Sequence, residues 1–214
     1  MKFIERDREL KNLNDCWASK DAQLIVIYGS RRIGKTEPIR HFIKDKPHIY
    51  FLAQQISEAE NLKILGKIVG EYFDDLLLKE KGFDNWSIFF KYLKKHIRER
   101  LIIAIDEFPY LAESNKGISS IFQAGWDEHL KDLLIFLILC GSSLAMMERE
   151  VLSFKAPLYG RRTVELRQKA SLIDWERGKR KEYYCLFSKS SFTEALIKRT
   201  REERILLFHK DRMV

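Results

Sequence analysis

Four short runs along this chain of 214 residues are apolar without alternation: "QLIVIYG" (23–29), "HIYFLA" (48–53), "LIIAIDE" (101–107) and "LLIFLILC" (133–140). Their length and their β-branched content predict strands buried on both faces, the habit of parallel sheets. Between the runs the apolar period becomes helical. "SEAENLKILGKIVGEYFDDLLL" puts Leu62, Leu65, Val69, Phe73 and Leu76 on one face and opens with Ser57 and Glu60 at capping-box spacing. "NWSIFFKYLKKHIRER" (85–100) reads as a second amphipathic helix, and two more are expected from Gly34 and around 117–131. "RTVELR" (162–167) alternates and supplies a fifth strand. Strands separated by helices predict an α/β fold, a doubly wound parallel sheet with flanking helices, over residues 1–167. The texture changes there, and 168–214 reads as a separate basic α/β segment.

Composition narrows the class. At 45% hydrophobic and 33% charged residues the chain has enough apolar material for a core. "MKFIERDREL" does not read as a signal peptide, and the run 133–140 is too short to span a bilayer, so no membrane partner is expected. Cys16, Cys140 and Cys185 are odd in number and scattered, which suits a reduced, cytoplasmic protein. His41, His48, His96, His129 and His209 show no metal-ligand spacing, and Trp86, Trp126 and Trp175 are expected in the core. The net charge of +8 is uneven: residues 171–214 hold 11 Lys/Arg against 7 Asp/Glu. Such a tail is either a solvated helical face or a contact for DNA phosphates.

The chemistry concentrates at strand ends. "YGSRRIGKTEPI" (28–39) contains Gly-x-x-x-x-Gly-Lys-Thr between a predicted strand and a predicted helix. Gly29 and Gly34 allow the backbone to turn and approach phosphate oxygens, and Ser30, Arg31, Arg32, Ile33 and Glu37 complete the cradle. Lys35 is expected at the β- and γ-phosphates and Thr36 on Mg²⁺. Asp106 and Glu107 close a strand of aliphatics, where parallel sheets bind ligands. Asp106 is the expected Mg²⁺ holder and Glu107 the general base for an attacking water. Ser142 and Ser143, after the fourth strand, are candidates for orienting that water. Arg161 and Arg162 are candidates for stabilising charge on the transferred phosphoryl group, within one subunit or across a homo-oligomer.

These stretches, together with "FIERDREL", "YFLAQQISEAENL", "IFQAGWDEHLKD" and "LILCGSSLAMMEREVLSFKAPLYGRRT", resemble the archaeal ATPase family, AAA-like P-loop proteins related to signal-transduction ATPases. The match covers about residues 3–166. It implies an ASCE-type sheet with the P-loop strand between the fifth and fourth strands, ATP or ADP as ligand, and Mg²⁺. It also implies that Arg6 and Glu9 lie near the adenine. Ser30 stands where the family usually has Arg, and Pro38 where it has an aliphatic residue.

Residues 179–214 resemble the family's last segment, which closes a restriction-nuclease-like domain. About a dozen residues stand where relatives carry a lid, a winged helix and the start of that domain. The resemblance therefore implies a more open nucleotide site, no nuclease activity, and a tail strand "EYYCLF" (182–187) without its usual neighbours. Three readings follow: a Mg²⁺-dependent ATPase, a nucleotide-binding remnant that turns over little, and a DNA-associated module gripping phosphates with its tail.

Overall fold

The protein is described from a computed structural model, which describes residues 7–30, 34–154 and 156–168 and the strand segments 184–188, 205–209 and 212–213. The chain divides into two compact units, Met1–Ile173 and Asp174–Val214.

In the first unit, β1 (Gln23–Gly29), β2 (His48–Leu52), β3 (Leu101–Asp106), β4 (Ile135–Gly141) and β5 (Val164–Gln168) form one sheet in the order β2-β3-β4-β1-β5. Every pairing is parallel; Ile25, for example, lies between Ile138 and Val164. The doubly wound sheet read from the sequence is borne out, with the P-loop strand between the fourth and fifth. Every residue of β1, β3 and β4 is buried. Such strands need apolar side chains on both faces, so their sequences do not alternate.

The two faces have different covers. Helices α1 (Asp7–Ala18) and α2 (Thr36–Ile43) bury Leu13, Ile39, Phe42 and Ile43 against Ile25, Ile27, Ile102, Phe136 and Ile138. On the other face lie α3 (Glu58–Phe73), α4 (Leu76–Lys81), α5 (Trp86–His96), α6 (Phe108–Ser114), α7 (Ile118–Gly125) and α8 (Leu144–Met147). There Phe89, Phe90, Phe108, Phe122 and Trp86 build an aromatic core over Ile103, Ile105, Leu137 and Leu139. Trp86 and Trp126 are buried as expected, whereas Trp175 lies outside the described residues. Among the described residues no helix is long and apolar enough to cross a membrane.

Two predicted helices are divided. The one read from Ser57 through Leu78 starts with the expected capping box, then stops at Asp74, which is left-handed (φ 55°). Asp75 accepts a hydrogen bond from the Leu78 amide and starts α4 in a new direction. Paired aspartates compete well with the helix for backbone partners, and here they break an otherwise continuous apolar face. The helix expected over 117–131 ends at Gly125 and continues as a π-helical turn, Trp126–Leu130.

The junction of α3 and α4 is close enough to test. A Cβ added at Gly66 would lie 2.4 Å from Gly82 Cα and 2.9 Å from the Phe83 nitrogen. Both are backbone atoms that cannot swing aside. Gly66→Ala gains up to about 1 kcal/mol in helix propensity. The forced separation outweighs it, for a net loss of about 2 kcal/mol. Urea unfolding would read this as a lower midpoint, and an unchanged midpoint would refute the packing argument.

The second unit contains β6 (Tyr184–Ser188), β7 (Ile205–His209) and β8 (Arg212–Met213) in that order, with β6 and β7 parallel and β8 antiparallel to β7. The tail strand, expected without its usual neighbours, is paired with β7. Its partner lies about twenty residues downstream, beyond what local pattern could pair.

Candidate functional site

α2 leaves β1 toward one face of the sheet, while α6 and α8 leave β3 and β4 toward the other. That divergence falls at the carboxyl ends of β1, β3 and β4, where open α/β sheets have their ligand-binding crevice. Three motifs distant in sequence meet there.

The loop after β1 sets the first wall. Gly34 has φ 74°, a left-handed conformation open to glycine at little cost. Lys35 is 6% exposed, and its Nζ donates to the Ser30 carbonyl at 2.8 Å. Among the described residues it has no carboxylate partner. Thr36 begins α2, whose first amides lack intrahelical acceptors and receive no side-chain cap. Pro38 is the third helical residue and is buried, and its missing N–H removes no helical bond at that position. Glu37 is exposed on the first turn. Arg6, Arg31, Arg32 and Ile33 lie outside the described residues. Glu9 sits half-buried on α1.

Asp106 is the centre of the site. It is 2% exposed, and its Oδ2 accepts from Thr36 Oγ1 at 2.7 Å and from the Tyr50 hydroxyl at 2.8 Å. Its Oδ1 accepts the Glu107 amide at 2.9 Å, and Cys140, on the neighbouring β4, lies beside the carboxylate. Burial and the neighbouring Asp106 charge raise the pKa values of Tyr50 and Cys140 well above their ordinary ones, so both remain protonated.

Glu107 is one of two described non-glycine residues at positive φ (54°). This costs on the order of 1 kcal/mol and turns the side chain across to β4. There its Oε2 accepts from Ser142 Oγ at 2.7 Å and from the Ser142 amide at 3.3 Å. Of the two candidate serines, Ser142 is the one that meets the acid. Ser143 precedes α8 and makes no side-chain capping bond.

Arg161 and Arg162 are engaged elsewhere. Arg161 grips Asp127 through two bonds, Nε at 2.7 Å and Nη2 at 2.6 Å, and also donates to the Pro157 carbonyl at 2.8 Å. The hydrogen bonds from Arg161 hold the Asp127 carboxyl below its usual pKa. Arg162 pairs with Glu165 at 2.6 Å and stacks on the Tyr159 ring. Either arginine would have to release its partner before reaching a phosphate.

Two residues at the acid escaped the sequence reading, Tyr50 and Cys140. Both lie inside apolar strands, and only strand register brings them to Asp106. Tyr50 pairs with Ala104, two residues before Asp106 on the same face.

Comparison with known proteins bears on the family and the fold. The profile of a family described as "ATPase domain predominantly from Archaea" matches residues 3–202. The uncharacterized protein MJECL04 of Methanocaldococcus jannaschii is 41% identical over 167 residues, covering 78% of this chain and 36% of the relative. The chain thus spans about a third of that relative's length. The uncharacterized ATP-binding protein MJ0423 of the same organism is 43% identical over 44 residues, 21% of this chain and 75% of that protein. Among solved structures, the Walker-type ATPase PABY2304 of Pyrococcus abyssi superposes with a TM-score of 0.56 at 21% identity, covering 77% of this chain and 53% of that one. Drosophila ORC bound to DNA gives 0.55 at 16% identity over 78% of this chain and 43% of that one. At these identities the structural likeness establishes the fold.

Proposed function

The chain belongs to the family of ATPase domains found predominantly in Archaea, and we propose that it binds ATP with Mg²⁺ at the β1–β3–β4 crevice and hydrolyses it there. The observation that carries this reading is the 2.7 Å bond from Thr36 Oγ1 to Asp106 Oδ2, which joins the phosphate loop to the acidic strand end across 70 residues of sequence. Loop amides and the head of α2 receive the phosphates, and the Lys35 ammonium neutralises their charge.

The donor set suits magnesium: a hydroxyl and a carboxylate, both hard oxygen donors, beside a phosphate site. Thr36 and Asp106 would hold the ion, which when bound screens the phosphate charge. Glu107 is the base. Its carboxylate, oriented by Ser142, takes the proton from a water that attacks the γ-phosphorus, and ADP leaves as the bridging bond breaks.

Calorimetric titration of the wild-type chain with ATP, with and without Mg²⁺, tests the site. Binding is expected in both arms and tighter with the metal, and product analysis should show ADP and phosphate. A folded chain that ignores ATP at millimolar concentration would end the proposal.

A further inference from the structure

Tyr50 sits on β2, a strand that carries no recognised nucleotide motif, yet its hydroxyl shares the Asp106 Oδ2 oxygen with Thr36. We infer that Tyr50 is a positioning residue for the metal-holding acid: it aims the Asp106 carboxylate at Thr36, and so sets how strongly the site responds to a divalent cation. The inference rests on the reading of the crevice as a Mg²⁺–nucleotide site.

The Arg40 guanidinium, on α2, lies over the ring, 5.5 Å from its centroid. The phenol donates its proton to Asp106 Oδ2 at 2.8 Å. Asp106 is thus held from β2, through Tyr50, as well as from α2, through Thr36.

The arrangement also limits the carboxylate's freedom. Each carboxylate oxygen has about two acceptor positions. At Oδ2 both are taken, by Thr36 and Tyr50, while Oδ1 holds the Glu107 amide. Rotation about the Asp106 side chain would break the hydroxyl bonds together. Groups that hold a ligand in place in this way commonly change metal affinity by about tenfold or more when removed.

Tyr50→Phe deletes only the hydroxyl and keeps the ring under Arg40. Calorimetric titration with ATP in EDTA should give wild-type affinity. The gain in affinity on adding Mg²⁺ should fall by about tenfold, and the Mg²⁺ concentration for half-maximal effect should rise to match. Equal losses in both arms would mean the residue serves packing alone and would overturn the inference. So would a Mg²⁺ response identical to wild type. A wild-type chain that binds ATP with no Mg²⁺ response would remove the metal site itself, separating failure of the underlying reading from failure of Tyr50. Thermal unfolding of the variant within a few degrees of wild type confirms that the comparison is between folded proteins.

Discussion

Lys35→Ala is expected to weaken ATP binding by roughly 100-fold, or ~2.8 kcal/mol at 1.4 kcal/mol per decade. The side chain is buried inside the loop, and one of its three donors already holds the Ser30 carbonyl at 2.8 Å. Two donors and a full charge remain for phosphate oxygens. Charge-assisted bonds of this kind contribute about 1.5–3 kcal/mol each. Alanine removes them and also frees the Ser30 carbonyl, so the loop loses its internal tie and its electrostatic attraction together. Fluorescence titration with a labelled ATP analogue would measure the change. Binding as tight as wild type would show that the loop is not a phosphate site.

Glu107→Gln should leave ATP affinity within about threefold and lower turnover by at least ~100-fold, the lower end of what a positioned base contributes. Glutamine keeps the length, and its carbonyl oxygen can accept from Ser142 as the carboxylate does now at 2.7 Å. The positive φ at this position is unchanged, so the turn toward β4 should survive. What is lost is a group able to take a proton. Steady-state phosphate release by wild type and variant is the measurement. Unchanged turnover in the variant would mean another group acts as base. A wild type no faster than solvent background would mean that the site holds nucleotide without using it.

The two experiments address different parts of the crevice. Lys35 is placed by a local turn, since the loop and the head of α2 are contiguous in sequence. Glu107 is placed by a strained backbone and by a serine just past the end of another strand. Local pattern therefore pointed firmly at the first and only by association at the second.

The helical regions show the same division. The capping box at Ser57 was legible because Ser57 and Glu60 act within one turn. The stop at Asp74 was not, because the apolar period continues through Leu76, and the outcome depends on how α4 packs against α3 near Gly66 and Gly82. Arg161 and Arg162 looked equivalent as adjacent cations. Folding gives one to Asp127 and the other to Glu165, acids that could not be told apart from other exposed carboxylates beforehand.

By itself the sequence determined the strand and helix alternation, the parallel sheet, the phosphate loop and the acids at the end of β3. Each follows from neighbours within a few residues, through hydrophobic period, turn chemistry and spacing. Only the tertiary structure decided which side chains meet Asp106. Tyr50 and Cys140 reach it because β2, β3 and β4 lie side by side in one register. That register is set by the packing of two whole sheet faces, an energy summed over dozens of buried contacts and not encoded at any single position.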